Sequence, residues 1–444
     1  MGLTGIQIFK LLPKTNCGEC GFPTCLAFAM GLAAGKAELE KCPTLSDEAK
    51  AQLSEASAPP IRQLTLGTGD YAVKIGGETV MFRHEKTFFN KPGLALLVTD
   101  AMDDGEITRR LATLAELQYE RVGLTLRPEM VAVKDGANKA RFLDIVKKVT
   151  ESPYGCILIS SDAAAMKEAL EVAKAKKPLI YAATKDNADA MAALAKEYGC
   201  PLAVKGEGLE ATAALAEKLT GLGIKDLVLD AGSRTVKEAF SDQIIMRRAA
   251  LQARFKPLGF PTITFPSEMT DDVMKETLIA SLFIAKYAGI IVLSDFRGEN
   301  VFPLLLERLN IYTDPQRPMT TEQGIYPINN PDASSPILVT CNFSLTYFIV
   351  TGEIENSRVP TWLCVMDTEG LSVMTAWAAG KFVADTVGPF IKKSGIAEKV
   401  NHKKLIIPGY AAGILGDLEE ELPGWEITVG PREAAHIPAF LKAR

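Results

Sequence analysis

The sequence predicts an α/β protein with three parts: a small cysteine-rich domain, a central (β/α)8 TIM barrel and a closing Rossmann- or flavodoxin-like domain. Three observations lead to this prediction. Four of the 8 cysteines fall within the first 42 residues. Short runs of Val, Ile and Leu then alternate with helical segments, and after a proline- and asparagine-rich linker the alternation starts again. Continuous apolar strands without a polar face are typical of parallel sheets that are covered on both sides.

Length and charge limit the functions that the chain can have. Its 444 residues correspond to about three domains, and 49 basic against 54 acidic residues leave a net charge of -5. Nucleic-acid-binding proteins usually carry a basic surface, so we expect no nucleic-acid partner. No apolar run reaches the roughly 18 residues that span a bilayer, and no export signal is recognised. We therefore expect a cytoplasmic protein with reduced thiols and no membrane contact.

The N-terminal cysteines have the spacing of a metal site. The motif is Cys17-Gly-Glu-Cys20-Gly-Phe-Pro-Thr-Cys25, and the fourth thiol, Cys42, comes just before Pro43. Zinc sites commonly pair two CxxC knuckles, and here the second pair is missing. The spacing favours a [4Fe–4S] cluster bound by Cys17, Cys20, Cys25 and Cys42, with zinc and a metal-free segment as the alternatives. Because four ligands leave no open iron, we expect electron transfer, with a structural role as the alternative in so small a domain.

Two boundaries divide the chain into the three predicted domains. The cysteine-rich domain is assigned to residues 1–60 and ends at Ala58-Pro59-Pro60, which we expect to act as a hinge. Residues 61–323 are assigned to a β-hairpin and the barrel, and residues 324–444 to the closing domain. The hairpin is predicted because the segments YAVKI and TVMF stand on either side of Gly76-Gly77, a typical two-residue turn.

Eight short apolar segments within residues 61–323 are predicted to be the barrel strands. Polar or helical sequence such as MKEALEVAKAKK separates them, as in successive βα units. A doubly wound open sheet is the alternative, because periodicity does not separate the two folds. The eight segments begin at Leu94, Val122, Cys156, Pro178, Leu202, Asp226, Thr262 and Gly289.

Four acidic residues stand at the ends of predicted barrel strands: Asp100, Asp230, Glu268 and Asp295. Carboxylates in this position can bind a pterin or transfer protons. More often such residues cap the helix that follows, and we favour that interpretation. The barrel is therefore expected to be a scaffold for a partner subunit rather than a catalytic centre.

The closing domain is predicted to follow the linker YPINNPDASSP and to contain four strand–helix pairs. Its strands begin at Ile337, Thr361, Lys404 and Trp425, and the helix LSVMTAWAAGKFVADTVGPFIKK is long and mostly apolar. Open α/β sheets bind ligands outside the carboxyl ends of their strands. Neither G-x-G-x-x-G after a strand nor G-x-x-x-x-G-K-S/T occurs in the sequence, so the ligand is not expected to be a dinucleotide or a nucleoside triphosphate.

The segment CGECGFPTC…CP, the eight-strand region and the C-terminal sequence VGPREAAHIPAFL together resemble the large (gamma) subunit family of the corrinoid iron–sulfur protein of the reductive acetyl-CoA (Wood–Ljungdahl) pathway. The resemblance covers the whole chain. It implies a methyl-group carrier rather than a stand-alone enzyme, without catalytic residues of its own. The implied cofactors are a [4Fe–4S] cluster and a cobamide. The resemblance also implies that the cobamide is held between the closing, corrinoid-binding domain and the barrel of a small subunit, with which the chain is expected to form a heterodimer.

The role that this resemblance implies is methyl transfer in carbon fixation. The cobamide cobalt accepts a methyl group from methyltetrahydrofolate, through a methyltransferase, and passes it to the acetyl-CoA synthase of the CO dehydrogenase/acetyl-CoA synthase complex. The cluster, supplied by a low-potential electron donor, returns oxidised Co(II) to active Co(I). The alternatives are an electron-transfer component similar to iron–sulfur flavoproteins and a pterin-dependent methyltransferase barrel.

The resemblance also implies which residues contact the cobamide. None of the 3 histidines, His84, His402 and His436, stands in the D-x-H-x-x-G motif that supplies an axial ligand in many cobamide domains. The resemblance implies a base-off cobamide without an axial protein histidine, which agrees with the absence of this motif and favours Co(I). Each implied corrin contact stands at a strand end and has a helix cap or a tight turn as its alternative role. These residues are Thr340, Thr346, Gly370, Leu371, Ser372, Val373, Met374, Thr375, Gly409, Tyr410, Gly430, Glu433 and Ala434.

Overall fold

The chain forms two compact units. The computed structural model describes residues 4–33, 37, 39–46, 48–50, 53, 59–136, 138–314 and 318–443. The first unit comprises Met1–Leu117 and Pro128–Tyr312, and the second comprises Gln118–Arg127 and Thr313–Arg444. No helix among these described residues is long and apolar enough to cross a membrane.

Two short helices build the N-terminal segment. Helix α1 (Gly5–Leu11) begins at a capping box, in which the Gln7 amide donates to Thr4 Oγ1 and the Gln7 side chain accepts from the Thr4 amide. Helix α2 (Cys25–Ala33) begins at the third cysteine of the motif. The predicted hinge at residues 58–60 lies partly outside the described residues. The buried core of this segment consists of Ile8, Leu12, Cys25, Phe28, Ala29 and Leu53.

A hairpin precedes the barrel, but not at the predicted place. Strand β1 (Leu64–Leu66) pairs antiparallel with β2 (Val73–Ile75), so the prediction of a turn at Gly76-Gly77 is wrong. A Cβ on Gly76 would lie 2.1 Å from the Arg62 carbonyl oxygen. Glycine is needed there because the Arg62 backbone passes close by, and not because the chain reverses.

Eight parallel strands form a nearly closed barrel in the first unit. The barrel strands are β3 (Gly93–Thr99), β6 (Met130–Lys134), β7 (Gly155–Ile159), β8 (Leu179–Ala183), β9 (Leu202–Lys205), β10 (Leu227–Asp230), β11 (Ile263–Thr264) and β12 (Ile290–Leu293). Two further strands, β4 (Tyr119–Arg121) and β5 (Leu124–Leu126), lie between β3 and β6 in the sequence but outside the barrel sheet. The sheet order is β10-β9-β8-β7-β6-β3-β12-β11. A parallel bridge between Leu229 and Thr262 joins the first and last strands. The predicted barrel is therefore confirmed, and the doubly wound alternative is wrong for this region.

The helices of the first unit follow the barrel strands. Asp103, Asn138, Asp162, Thr235 and Asp272 each accept a hydrogen bond from a backbone amide at the start of a helix. The helices are α3 (Asp104–Glu116), α4 (Lys139–Glu151), α5 (Ala163–Ala173), α6 (Ala188–Tyr198), α7 (Leu209–Gly221), α8 (Val236–Leu251), α9 (Val273–Ala285) and α10 (Gly298–Ile311).

One predicted barrel strand is wrong. The segment at Val122 is not in the barrel, because β4 and β5 pair antiparallel as a hairpin that belongs to the second unit. Val122 and Gly123 have φ angles of 48° and 73° in the turn, and Leu124 is exposed. The barrel strand is β6, whose apolar residues are fully buried.

The second unit contains a five-stranded sheet. Its strands are β13 (Gly324–Ile328), β14 (Ile337–Cys341), β15 (Thr361–Met366), β16 (Lys404–Ile407) and β17 (Glu426–Val429), in the order β13-β15-β14-β16-β17. Strand β13 is antiparallel to β15, and the other neighbours are parallel. The order of the four parallel strands reverses between β14 and β16, where open α/β sheets have their ligand crevice.

Two elements of this unit differ from the predictions. Strand β13 lies in sequence assigned to the linker, and as an edge strand it tolerates Pro327. The long predicted helix is two helices, because Gly380 with φ 70° follows the first of them. The helices of the unit are α11 (Ser344–Ser357), α12 (Val373–Ala378), α13 (Ala384–Lys393), α14 (Leu415–Glu421) and α15 (Ile437–Lys442).

Candidate functional site

The predicted cofactor residues gather at one edge of the second sheet. Thr340 lies at the carboxyl end of β14, and Thr346 is in the first turn of α11. Residues 370–375 form the connection from β15 and the start of α12, while Gly409 and Tyr410 begin the 3-10 helix that follows β16. Gly430, Glu433 and Ala434 follow β17. The carboxyl ends of four parallel strands thus carry all thirteen residues.

These residues differ in how far solvent reaches them. Thr340, Gly370, Val373 and Gly409 are buried, Thr346, Leu371, Ser372, Gly430 and Ala434 are half-buried, and Met374, Thr375, Tyr410 and Glu433 are exposed. The buried residues, such as Thr340 and Gly370, therefore belong to the packed interior of the unit. The four exposed side chains can contact a ligand directly.

An apolar surface stands out among the exposed residues. Met374 is 56% exposed, Trp377 47% and Tyr410 43%. The hydroxyl of Tyr410 donates to Glu433 Oε1 at 2.7 Å, and this hydrogen bond raises the pKa of Tyr410. Trp377 was not among the predicted residues, although it lies one helical turn after Val373. A contiguous patch of large exposed apolar side chains commonly marks a binding surface, whereas single exposed ones do not.

Two of the predicted glycines are needed for close backbone packing. A Cβ on Gly409 would lie 2.6 Å from the Arg432 amide nitrogen and 2.7 Å from the Gly430 carbonyl oxygen. A Cβ on Gly370, which has φ 75°, would lie 2.8 Å from Thr320 Cγ2. The tight-turn alternative therefore accounts for these glycines without a ligand.

A cavity of about 560 Å³ lies beside the same sheet edge, between β13, β15 and α13. Ile325, Met366 and Phe390 form part of its apolar lining, and Glu369 and Lys381, which form an ion pair, are among its polar lining residues. None of the thirteen predicted cofactor residues lines it. The cavity and the apolar surface around Trp377 are thus two distinct features of this unit.

The cysteine motif packs against the N-terminal core. Cys17 is exposed, Cys20 and Cys42 are half-buried against the core, and Cys25 is buried. Asn16 brackets Cys25: its amide donates to Cys25 Sγ at 3.4 Å, and its Oδ1 accepts from the Cys25 amide at 2.8 Å. Within the described part of the chain, no three Cys, His, Asp or Glu side chains form a group that could hold a metal ion.

The chemistry of this motif nevertheless fits an iron–sulfur cluster. Its donors are thiols, which bind iron as thiolates. An N–H group already points at one sulfur, and hydrogen bonds to cluster sulfurs are a usual feature of such sites. Gly18 and Gly21 have φ angles of 77° and 84°, with open space around both α-carbons, so their backbone can be approached closely.

The mouth of the barrel contains a closed network of charges. Asp230, at the end of β10, forms an ion pair with Arg234 at 2.9 Å and accepts a hydrogen bond from Tyr181. Glu268 binds both Arg234 and Lys134, the latter at 2.8 Å. Burial and the neighbouring Asp230 raise the pKa of Tyr181. Burial opposes ionisation of Glu268, but its bonds to Lys134 and Arg234 outweigh burial and lower its pKa.

The four acids at the barrel strand ends do not cap helices, so that prediction is wrong. Asp100 Oδ2 accepts from the Asn138 amide at 2.8 Å, and Asp295 Oδ1 accepts from the Phe296 amide at 2.9 Å. Asp230 and Glu268 belong to the network just described. Residues a few positions further on, such as Asp103 and Asp272, take the capping role.

The remaining cysteines and histidines have ordinary structural environments. Burial raises the pKa of Cys156 and of Cys364 to about 12, as expected for cysteines that act as small apolar residues. His402 Nε2 lies 3.0 Å from the Ser335 carbonyl oxygen, and His84 stacks on Phe82. His436 is exposed after β17.

Comparison with known proteins identifies the class of protein. The family model described as CO dehydrogenase/acetyl-CoA synthase delta subunit matches residues 63–441, and a second model, whose description names an Fe-S cluster, matches residues 12–44. The barrel and the second sheet are thus shared with one family, and the cysteine motif with another.

Curated relatives match over the full length. The chain is 44% identical to "Corrinoid/iron-sulfur protein large subunit" of Moorella thermoacetica, covering 100% of this chain and 99% of that protein. It is 37% identical to "Acetyl-CoA decarbonylase/synthase complex subunit gamma" of Methanopyrus kandleri (99% and 97% covered), and 34% identical to the protein of that name from Methanothermobacter thermautotrophicus (99% of each). The chain belongs to this family of corrinoid/iron–sulfur large subunits, which confirms the resemblance found in the sequence.

Proposed function

We propose that the chain is the methyl-carrier subunit of a corrinoid iron–sulfur protein in the acetyl-CoA pathway. The observation that carries the proposal is the full-length match to a relative, that of Moorella thermoacetica, whose name contains both a corrinoid and an iron–sulfur group. The structure supports it, because an exposed apolar surface stands at the ligand-binding edge of the second sheet and a four-cysteine motif stands at the N-terminus.

Residues 324–444, which lie in the second unit, are the proposed corrinoid-binding domain. Met374, Trp377 and Tyr410 offer the apolar and aromatic surface that a flat macrocycle needs. Thr346, Ser372, Thr375 and Glu433 supply hydroxyl and carboxylate groups for the amides on its rim. When bound, the cobamide supplies a cobalt that accepts a methyl group from methyltetrahydrofolate, through a methyltransferase, and releases it to acetyl-CoA synthase.

We propose that the protein provides no axial histidine ligand to the cobalt. His402 and His84 are engaged elsewhere in the fold, and His436 stands outside a D-x-H-x-x-G motif. We therefore propose base-off binding without an axial histidine. An apolar surface without a nitrogen donor favours the reduced metal, since Co(I) prefers no axial ligand.

The cysteine motif is proposed to hold a [4Fe–4S] cluster through Cys17, Cys20, Cys25 and Cys42. Asn16 holds Cys25 in place through its amide and side chain, and the surrounding apolar core keeps water from one side. The cluster would supply low-potential electrons that return Co(II) to Co(I). Residues 1–60 form the proposed cluster domain and 61–323 the hairpin and barrel.

The proposed partners follow from the same family. They are a small corrinoid protein subunit, a methyltetrahydrofolate methyltransferase, the CO dehydrogenase/acetyl-CoA synthase complex and a low-potential electron donor, all in the cytoplasm. The barrel is proposed to be the scaffold for the small subunit, because the polar network at its mouth is satisfied internally.

Metal and spectral analysis tests the proposal. The chain is co-purified anaerobically with its small subunit, and cobalt, iron and acid-labile sulfide are measured together with the visible spectrum. We expect one cobalt per complex, iron and sulfide in equal amounts, and corrin absorption bands. A flavin spectrum without cobalt would instead support the electron-transfer alternative, and material without cobalt or sulfide would contradict the proposal.

A further inference from the structure

We propose that Asn342 is a positioning residue that fixes the connection between β15 and α12, and thereby sets where residues 371–373 meet the cobamide. The inference rests on the proposed function. Asn342 follows β14 directly and is 4% exposed, so it is too deeply buried to contact a large ligand itself. Its effect must pass through the neighbouring loop, residues 367–372, here named the β15–α12 loop.

The side chain of Asn342 is devoted to this loop. Its Oδ1 accepts hydrogen bonds from the Thr368 amide, the Thr368 hydroxyl and the Gly370 amide, each 3.0 Å long. Its Nδ2 donates to Asp367 Oδ1 at 2.8 Å. Amide N–H groups can only donate, so the oxygen must face Thr368 and Gly370. The Asn342 side chain thus accepts hydrogen bonds from the buried Thr368 and Gly370 amides, which in a regular strand or helix would donate to backbone carbonyl oxygens.

The loop needs such support because its backbone is unfavourable. Glu369 and Gly370 are consecutive residues with left-handed φ angles of 56° and 75°, and this region is disfavoured for a residue such as glutamate. Gly370 is also held against Thr320 on its other side. Without Asn342, two buried amides would lose their acceptor, which opposes this conformation.

Asn342 is itself held in place from two sides. It continues the central strand β14, and its carbonyl oxygen accepts from the Thr321 amide at 2.9 Å. The loop that it fixes contains Leu371 and Ser372 and leads directly into Val373, and these are three of the implied corrin contacts. A rigid strand is thereby connected through one amide to the residues that define the site, as accurate binding sites require.

Cobalamin binding to the two-subunit complex, freed of cofactor, tests the proposal. Asn342→Ala is compared with Asn329→Ala, a matched control at the end of β13. Asn329 has φ 57°, and its Nδ2 donates to the carbonyl oxygens of Ile354 and Val359 at 2.9 and 3.2 Å. Both variants should unfold more easily. Only Asn342→Ala should lose affinity for cobalamin, by about tenfold.

A charge-swap pair separates positioning from general destabilisation. Asn342→Asp keeps the acceptor but sets a carboxylate against Asp367, so cobalamin binding should weaken. Adding Asp367→Asn restores an N–H donor between the two side chains, and the double variant should recover most of the affinity. Equal affinities of the two alanine variants, or no recovery in the double variant, would overturn the positioning role. A wild-type complex that binds no cobalamin would overturn the proposed function instead.

Discussion

The mouth of the barrel and the ligand edge of the second sheet are the same kind of place, because both are the carboxyl ends of parallel strands. At the barrel mouth, the carboxylates of Asp230 and Glu268 are balanced by two cations, Arg234 and Lys134. At the edge of the second sheet, Met374 and Trp377 are left in solvent. The strand topology therefore gives two candidate sites. They differ in their side chains, because the edge of the second sheet has exposed apolar side chains that a ligand could contact, whereas these charged groups at the barrel mouth pair with one another.

The largest effect is expected at the barrel mouth and should concern stability alone. Arg234→Ala leaves the buried Asp230 carboxylate without its cation, and should lower the free energy of unfolding by about 3 kcal/mol. The cobalamin affinity of the two-subunit complex should stay at the wild-type value. The control is Lys218→Ala, which removes an exposed pair with Asp189 and should change stability by less than about 0.5 kcal/mol. Weaker cobalamin binding by Arg234→Ala would show that the two regions do not have separate roles.

The next effect is expected in the second unit, where one glycine is packed and another is open. Gly370 and Gly380 have φ angles of 75° and 70°, but only Gly370 has atoms near the position of a Cβ. Gly380→Ala should cost about 1 kcal/mol from backbone strain, and Gly370→Ala about 2 kcal/mol or more because it also strikes Thr320. Denaturant unfolding measures both. Equal losses would contradict the tight packing of the β15–α12 loop.

The exposed apolar surface should matter for binding and not for folding. Trp377→Ala should change the free energy of unfolding by less than about 0.5 kcal/mol, while cobalamin affinity falls about tenfold. Phe255→Ala is the control, since Phe255 is similarly exposed on the first unit. The interpretation fails if the Phe255 variant loses as much affinity as the Trp377 variant.

The smallest effect is a pH dependence of the barrel network. The pKa of Glu268 is lowered in the folded chain from its ordinary value of 4.5. Its ion pairs therefore stabilise the fold above pH 4.5, and this contribution is lost as the pH falls through the lower, folded pKa. Unfolding free energies measured from pH 5.5 downward should decline less in Glu268→Gln than in the wild type. Parallel curves would show that Glu268 does not contribute.

Much of the fold could be predicted from the sequence, because buried parallel strands leave long apolar runs. The errors have local physical causes. The segment at Val122 is as apolar as a strand, yet it forms an exposed hairpin, while β6 lay unrecognised a few residues later. Strand β13 contains Pro327, which a β-strand tolerates because β13 lies at the edge of the sheet. The exposed position of the Val122 hairpin and the edge position of β13 depend on tertiary structure, so amino-acid composition does not predict them.

The site was predicted less completely, since its support depends on contacts between distant residues. The resemblance led to residues at the correct strand ends. It gave no reason to single out Asn342, whose four hydrogen bonds reach residues about 25 positions away. Trp377 was also missed, although an exposed tryptophan one turn after Val373 was a usable signal. The hinge at residues 58–60 stays a prediction.

Hydrogen–deuterium exchange of the two-subunit complex, with and without cobalamin, tests most directly that the second sheet and not the barrel takes the cobamide. Residues 367–378 and 409–414 should exchange more slowly when cobalamin is bound, and residues 230–235 at the barrel mouth should be unchanged. Protection at the barrel mouth, with none along the β15–α12 loop, would contradict this assignment.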